Sequence, residues 1–230
     1  MNTFAPSNVS STSLSSVGAG QVYWLLALAF LMTGLGVVAG STFAMPIIAS
    51  GWVFILLLVE VALVLTARAW SRTSPLNMVM FLAFPFISGL TVTPFILSVA
   101  SQYANGTIIL LNATIATCLL TAASAVYASS THKNLGASLG MFLFQSLIGL
   151  IVFGILQIFI PALRGNTFEM IVSGVGIVIF ALYLAVDIQR LQRSGGAMSP
   201  FLMALSLYLD IFNMFLYVVR FMVAISGNRR

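Results

Sequence analysis

Residues 199–224, SPFLMALSLYLDIFNMFLYVVRFMVA, are almost wholly apolar yet carry an aspartate near the middle. About twenty consecutive apolar residues let an α-helix cross the hydrocarbon core of a membrane. The polar side chains of this segment are spaced 4, 3, 4 and 3 residues apart, which places them on one helical face. They are Ser206, Asp210, Asn213, Tyr217 and Arg220. Because a polar stripe is unstable against lipid tails, we expect it to face other helices or a wet cavity.

The composition of the whole chain is that of a membrane protein. Of its 230 residues 60% are hydrophobic and 6% are charged, and the mean hydropathy is +1.12. A soluble domain has about a quarter charged residues. The net charge of +5 comes from a few scattered residues at the ends of apolar runs, so membrane topology explains it better than a nucleic-acid partner. We predict an all-α integral membrane protein in contact with the lipid bilayer.

Seven apolar runs are long enough to cross a bilayer, which predicts a seven-helix transmembrane domain over residues 21–230. The runs are about 21–45, 47–70, 76–100, 106–129, 134–160, 168–191 and 199–224. The first break falls at Pro46. Residues 1–20 are polar and lack the basic start of a signal peptide, so we predict a disordered tail there.

The loops carry an asymmetric set of basic residues that predicts the orientation. One side would hold Arg68, Arg72, Lys133, Arg190 and Arg193, and the other only Arg164. Because cytoplasmic loops are enriched in Lys and Arg, we expect the amino terminus in the cytoplasm. The pair Arg229-Arg230 does not fit this rule if the seventh run spans fully; a re-entrant segment would bring it inside, but length favours a full span.

Small and hydroxyl side chains mark the first and third runs. Gly36 and Gly40 form a small-xxx-small pair that suits close helix contact, although glycine is also generally tolerated in membrane helices. Three hydroxyls lie between Pro85 and Pro94, where they are expected to satisfy carbonyls that the prolines free. These are Ser88, Thr91 and Thr93.

Three of the four acidic residues fall inside predicted membrane helices, where a carboxylate costs several kcal/mol. Asp187 lies about one turn from the end of the sixth run, and Asp210 lies about eleven residues, roughly 16 Å, into the seventh. The short connection between these runs predicts that the two carboxylates are neighbours. Glu60 also lands near the midplane, whereas Glu169 lies at a helix start, where the helix dipole favours it.

The sixth run carries its own stripe, spaced 3, 4, 3, 4 and 3 residues apart, which is small or polar apart from one phenylalanine. Its members are Ser173, Gly176, Phe180, Tyr183, Asp187 and Arg190. Two carboxylates held close together cannot both ionise cheaply, so the aspartate pair would share a proton. Loss of that proton creates repulsion, or an oxygen site of the kind that Ca²⁺ prefers, and this makes a pH-sensing switch.

Simpler interpretations of these charges stay open. Asp187 could snorkel or pair with Arg190, and Asp210 could be neutral and bonded to a neighbour. Glu60 could equally be a neutral structural acid, and Arg220 could snorkel to the helix end.

Two enzyme motifs are weak in this context, so we expect no enzyme. The segment 136–140, GASLG, matches a serine nucleophile elbow, but that motif needs a strand before the turn and here it opens a membrane helix. An intramembrane aspartic protease would also use two aspartates. However, Leu207-Tyr208-Leu209 stands where presenilin-type enzymes have Gly-x-Gly.

The segment 204–215, ALSLYLDIFNMF, followed by Arg220-Phe221, resembles the signature of the Bax inhibitor-1 (transmembrane Bax-inhibitor-motif) family. Residues 183–191, YLAVDIQRL, and 86–91, FISGLT, are similar to other family segments. The ending 227–230, GNRR, looks like that of the family's bacterial inner-membrane branch. The resemblance covers the chain from about residue 21 to its end.

The resemblance implies a seven-helix bundle with the last helix central. It also implies a pH-sensitive passive Ca²⁺ leak with Asp187 and Asp210 as its gate, Glu60 as an acid of the ion pathway, and no cofactor. The alternative is a non-conducting regulator that binds a membrane protease or another membrane complex, because eukaryotic members modulate cell death.

The resemblance also implies a basic latch on the aspartate pair, from an arginine near the end of the second helix. The gap-free match falls on Ser71 instead. Arg68 and Arg72 on either side, together with Arg190, are therefore the candidates for a latch or counter-charge.

Overall fold

The computed structural model describes residues 11–49, 51–193 and 198–227, and these residues form an all-helical bundle. The helices are α1 (Ser11–Ala49), α2 (Trp52–Leu65), α3 (Ala67–Trp70), α4 (Leu76–Gln102), α5 (Gly106–Ser130), α6 (Leu135–Phe159), the 3-10 helix η1 (Pro161–Arg164), α7 (Asn166–Arg193) and α8 (Pro200–Ser226). The first ten residues of the predicted tail and the pair Arg229-Arg230 lie outside the described residues, and α1 already begins at Ser11.

Six helices in the described part of the chain are long and apolar enough to cross a membrane, namely α1 and α4 to α8. The all-α membrane class is therefore confirmed, but the predicted count of seven is not. The difference lies in the second run, where α2 has 14 residues. That length is roughly 21 Å, short of the roughly 30 Å hydrocarbon core. By contrast α8 is continuous over 27 residues, which is long enough for a full span.

Two local features divide the second run. Gly51 has a φ of 74°, a left-handed conformation that glycine adopts without steric cost, so the first break lies there and not at the predicted Pro46. The Thr66 hydroxyl donates to the carbonyl one turn earlier at 2.6 Å, and the Trp70 indole donates to the Leu63 carbonyl at 3.0 Å. Side-chain donors thus compete with backbone N–H groups for helix carbonyls at the junction between α2 and α3.

Helices α1 and α4 cross in close contact through glycines. A Cβ atom on Gly36 would overlap the Phe86 carbonyl oxygen, and one on Gly89 would overlap the Thr33 carbonyl oxygen. Gly40 likewise abuts the side chain of a threonine in α4. The small-xxx-small interpretation therefore holds for the first helix, because the two backbones touch where side chains are absent.

Helix α8 lies at the centre of the described helices, since it packs against α1, α4, α5 and α7. Its fully buried Tyr208 shares a hydrogen bond of 2.8 Å with Thr33 of α1. Three phenylalanine rings surround the Tyr208 ring, namely Phe30, Phe84 and Phe212. Helix α2 has no buried residue, so it sits at the edge of the bundle.

Candidate functional site

The structure brings the two predicted aspartates together between α7 and α8. Asp187 and Asp210 are only 3% and 6% exposed. Both line the same cavity, as does Arg190, which forms an ion pair with Asp187. The short connection between the two helices and their extensive packing against each other produce this arrangement.

Both carboxylate oxygens of Asp187 are occupied. Arg190 Nη1, one turn further along α7, donates to Asp187 Oδ1 at 2.7 Å. The Ser206 hydroxyl of α8 donates to Asp187 Oδ2. The simpler interpretation of Asp187 as the partner of Arg190 is thus present in the structure, and it coexists with the neighbouring Asp210.

Asp210 is less well satisfied than its neighbour. Its Oδ2 atom is buried and accepts no hydrogen bond from the described residues. A buried carboxylate oxygen without a donor costs free energy, so this atom is an unused acceptor in the bundle. Asp210 is therefore the member of the pair that can accept a further contact.

All three membrane acids line one cavity of about 710 Å³, which we call the acidic cavity. It lies among α2, α4, α6, α7 and α8 and contains Glu60, Asp187 and Asp210 in its walls. Glu60 Oε1 accepts a hydrogen bond of 2.6 Å from the Thr91 hydroxyl of α4. Thr91 therefore orients Glu60. The sequence analysis predicted for Thr91 only that it would satisfy carbonyls freed by the prolines.

The predicted polar stripe of the last helix faces this cavity. Four of its five members line the acidic cavity, namely Ser206, Asp210, Asn213 and Tyr217. On α7 the predicted stripe contributes Phe180, Tyr183, Asp187 and Arg190 to the same walls. The two stripes meet where the Phe180 and Tyr217 rings stack at 5.7 Å, and the absence of a side chain at Gly176 leaves room for the Tyr217 ring.

Two further cavities adjoin the acidic cavity through shared lining residues, and a third adjoins one of these two. The basic cavity, about 280 Å³, contains Asn134, Gln189 and Arg193 and shares Val186 and Arg190 with it. The middle cavity, about 310 Å³, shares Glu60, Phe84, Leu209 and Asn213 with the acidic cavity. The distal cavity, about 500 Å³, shares Phe95 and Arg220 with the middle cavity and reaches Glu169. The series thus extends from the last residue of α7 to its first turn.

Arg220 occupies the junction between the middle and distal cavities. Its guanidinium carbon lies 5.9 Å from the centre of the Phe95 ring and 5.6 Å from that of Tyr217. Such cation–π contacts hold an arginine against aromatic faces. Arg220 therefore faces the inside of the series of cavities as well as the helix end.

The candidate counter-charges differ in position. Arg190 forms the ion pair with Asp187, whereas Arg68 and Arg72 are exposed and make no ion pair with either aspartate within the described chain. Ser71 between them is buried, and its carbonyl accepts a hydrogen bond of 2.8 Å from Ser199. The residue at the latch position thus joins the end of α3 to the start of α8.

Gln189 is a buried residue that the sequence analysis missed. Its Oε1 atom accepts from the Leu135 N–H at 2.8 Å, and its Nε2 donates to the Thr131 and Lys133 carbonyls at 3.1 and 2.9 Å. Gln189 therefore holds the α5–α6 connection against α7 and forms part of the wall of the basic cavity. A glutamine near a basic helix end carries no sequence signal that separates it from a solvated one.

The described residues include no group of three or more His, Cys, Asp and Glu side chains that could hold a metal ion. The Ca²⁺ contact predicted at Asp187 and Asp210 stays a prediction.

A comparison with protein families shows to which family the chain belongs. The family model described as "Inhibitor of apoptosis-promoting Bax1" matches residues 18–228. The chain belongs to the Bax inhibitor-1 family. The match covers all helices that build the acidic cavity, so this protein is a Bax inhibitor-1 family member over its whole membrane domain.

Relatives of this family member occur in bacteria and plants. An uncharacterized protein of Campylobacter jejuni is 31% identical over 225 residues, which cover 96% of this chain and 94% of that protein. The inner membrane protein YbhL of Escherichia coli is 26% identical and covers 91% of each chain. Protein LIFEGUARD 1 of Arabidopsis thaliana is 28% identical, over 94% of this chain and 92% of its own. The chain is thus similar to whole proteins and not to fragments of them.

Proposed function

We propose that this Bax inhibitor-1 family member is a passive cation pathway, for Ca²⁺, that is controlled by protonation of Asp187 and Asp210. The observation that carries the proposal is the acidic cavity, where three membrane acids converge within a series of adjoining cavities. An apolar bundle has no structural need for three acids around one cavity, whereas a cation in transit needs oxygen ligands.

The pair would act as a switch because its two protonation states favour different arrangements. With a shared proton, Asp187 and Asp210 attract each other and hold α7 against α8. Without it, two negative charges face the acidic cavity, repel each other and attract a divalent cation. Arg190 then competes with the cation for Asp187. We therefore expect the cation flux to rise with pH.

The proposal also includes a seventh membrane crossing, by α2 and α3 together, and an orientation of the chain in the membrane. Helices α2 and α3 together run from Trp52 to Trp70, and 70 − 52 + 1 gives 19 residues. This is roughly 28 Å of helix, close to the thickness of the hydrocarbon core. The amino terminus would be cytoplasmic, as the basic loops predict, and the bacterial inner membrane would be the location, as for YbhL.

The test is a Ca²⁺ flux measurement on purified protein in liposomes loaded with a Ca²⁺-sensitive dye. We expect flux that increases between about pH 6 and about pH 8. Asp187→Asn and Asp210→Asn should each remove this pH dependence, because neither leaves a pair that can share a proton. Glu169→Gln is the matched control, since it removes an acid from the distal cavity and should leave the pH dependence intact.

Two results would contradict the proposal in different ways. Flux that is absent at every pH in this range would exclude the leak and leave the non-conducting regulator of a membrane protease or complex as the function. Flux that is present but unchanged in both aspartate variants would retain a leak and exclude the pair as its gate.

A further inference from the structure

We infer that the acidic and basic cavities together form a binding site for one anionic phospholipid, with an acyl chain in the first and the phosphate headgroup in the second. The two cavities share Val186 and Arg190, so a single molecule can extend through both. This inference goes beyond the proposed leak, because it concerns a ligand that enters from the bilayer and competes with the cation for the acidic cavity.

The walls of the acidic cavity suit an acyl chain. Helix α2 packs mainly against α1, α3 and α4, and α6 mainly against α7 and η1, so the two flank the cavity without packing closely on each other. On α2, Val61 and Leu65 line the cavity and are also 55% and 79% exposed. On α6, Phe144 and Ile151 do the same at 58% and 54%. The cavity thus continues into the lipid-facing surface between these helices.

The basic cavity suits an anionic headgroup. Arg190 and Arg193 line it at the end of α7, where the helix reaches the membrane surface. Arg190 uses Nη1 for Asp187, and Arg193 uses Nη2 for the His132 and Lys133 carbonyls, while both residues remain exposed. A guanidinium has five N–H donors in a fork that matches a phosphate, so both retain donors for one. Basic pockets between membrane helices bind anionic headgroups in this way.

Charge fixes the direction in which the lipid binds. Asp187, Asp210 and Glu60 repel a phosphate from the deeper part of the acidic cavity, so the headgroup must stay beside the arginines. The apolar side chains of α2 and α6 in the same cavity accept a hydrocarbon chain. Because Arg190 also holds Asp187, the bound phosphate would share this arginine with the aspartate pair.

The headgroup is tested by native mass spectrometry of the detergent-purified full chain with added phosphatidylglycerol or phosphatidylcholine. We expect one phosphatidylglycerol per chain to be retained under collision conditions that release phosphatidylcholine. Arg193→Gln should weaken retention about fivefold, and Arg193→Lys, which keeps the charge but not the fork, should weaken it less. Arg72→Gln is the matched control, since it removes an exposed charge that lines neither cavity. Equal retention of the two lipids, or equal loss in both glutamine variants, would overturn the site.

The acyl chain is tested by filling the acidic cavity. Gly140 lines it, and a Cβ atom there meets nothing within 4 Å, so Gly140→Leu has room at its Cβ atom and adds apolar volume at the cavity wall. Gly149 on the same helix is equally open but lies outside the cavity, so Gly149→Leu is the matched control. We expect only Gly140→Leu to lose the lipid, and full retention in this variant would exclude the chain from the cavity. The measurement uses no ion gradient, so failure of the leak leaves its result unaffected.

Discussion

Asp210 and Asp187 accept different numbers of hydrogen bonds at their buried carboxylate oxygens. Both oxygens of Asp187 accept hydrogen bonds, from Arg190 and Ser206, whereas Asp210 Oδ2 accepts none from the described residues. The spacing of polar residues along 199–224 predicted which face would carry Asp210, because a helical stripe follows from the sequence. It could not predict this asymmetry, because the donors come from side-chain rotamers on two helices.

At the same scale, Gln189→Leu should destabilise the protein by about 2 kcal/mol, because it leaves the Leu135 N–H and the Thr131 carbonyl without their partner and removes one of two donors to the Lys133 carbonyl. Thermal unfolding in detergent measures this loss. The control is Gln192→Leu, since Gln192 is exposed and bonds only the Ser129 hydroxyl, also exposed, among the contacts described. It should cost under about 0.5 kcal/mol. Equal losses in the two variants would contradict the role of Gln189.

At the scale of elements, most helices were predictable and the second was not. The runs for α4 to α8 matched the observed helices closely, because length and hydropathy decide whether a segment enters a membrane. No glycine or proline stands at Leu65 and Thr66 in the second run, so the sequence carries no turn signal at this break. The break depends on where the Thr66 hydroxyl and the Trp70 indole find acceptors, which composition does not encode.

The α1–α4 crossing gives a prediction at this scale. Gly36→Ala should destabilise the protein by about 1–3 kcal/mol, because its Cβ atom would overlap the α4 backbone and force the helices apart. Gly34→Ala is the matched control two residues earlier, where nothing lies within 4 Å, and it should be neutral or slightly stabilising. Thermal unfolding in detergent distinguishes the two, and a loss in both would show that helix flexibility matters rather than the crossing.

At the scale of the whole molecule, the connections at one end of the bundle are joined to one another. Ser199 bonds the Ser71 carbonyl, and Arg193 bonds the carbonyls of His132 and Lys133. The loops after α3, α5 and α7 therefore lie at one end of the bundle. The basic residues predicted this grouping from sequence, but the hydrogen bonds that fix it required the fold.

Cysteine labelling in a Cys118→Ser background measures this topology. Arg72→Cys and Lys133→Cys should react with an impermeant maleimide only after the cytoplasmic side is made accessible, and Asn105→Cys should react without that step. Trp52→Cys, at the start of α2, should react from the same side as Asn105→Cys, and reaction from the side of Arg72→Cys would mean that α2 and α3 do not cross together. Labelling of all three with the sides exchanged would keep the bundle and reverse the orientation.

The gap between α2 and α6 also has a pharmacological consequence. A blocker of the proposed leak need not approach through water, since Val61 and Phe144 belong both to the cavity wall and to the exposed surface of the bundle. A lipophilic amine dissolved in the membrane could enter sideways and place its ammonium group beside Asp187 and Asp210. The potency of such a compound would follow its partition into lipid as much as its fit to the protein.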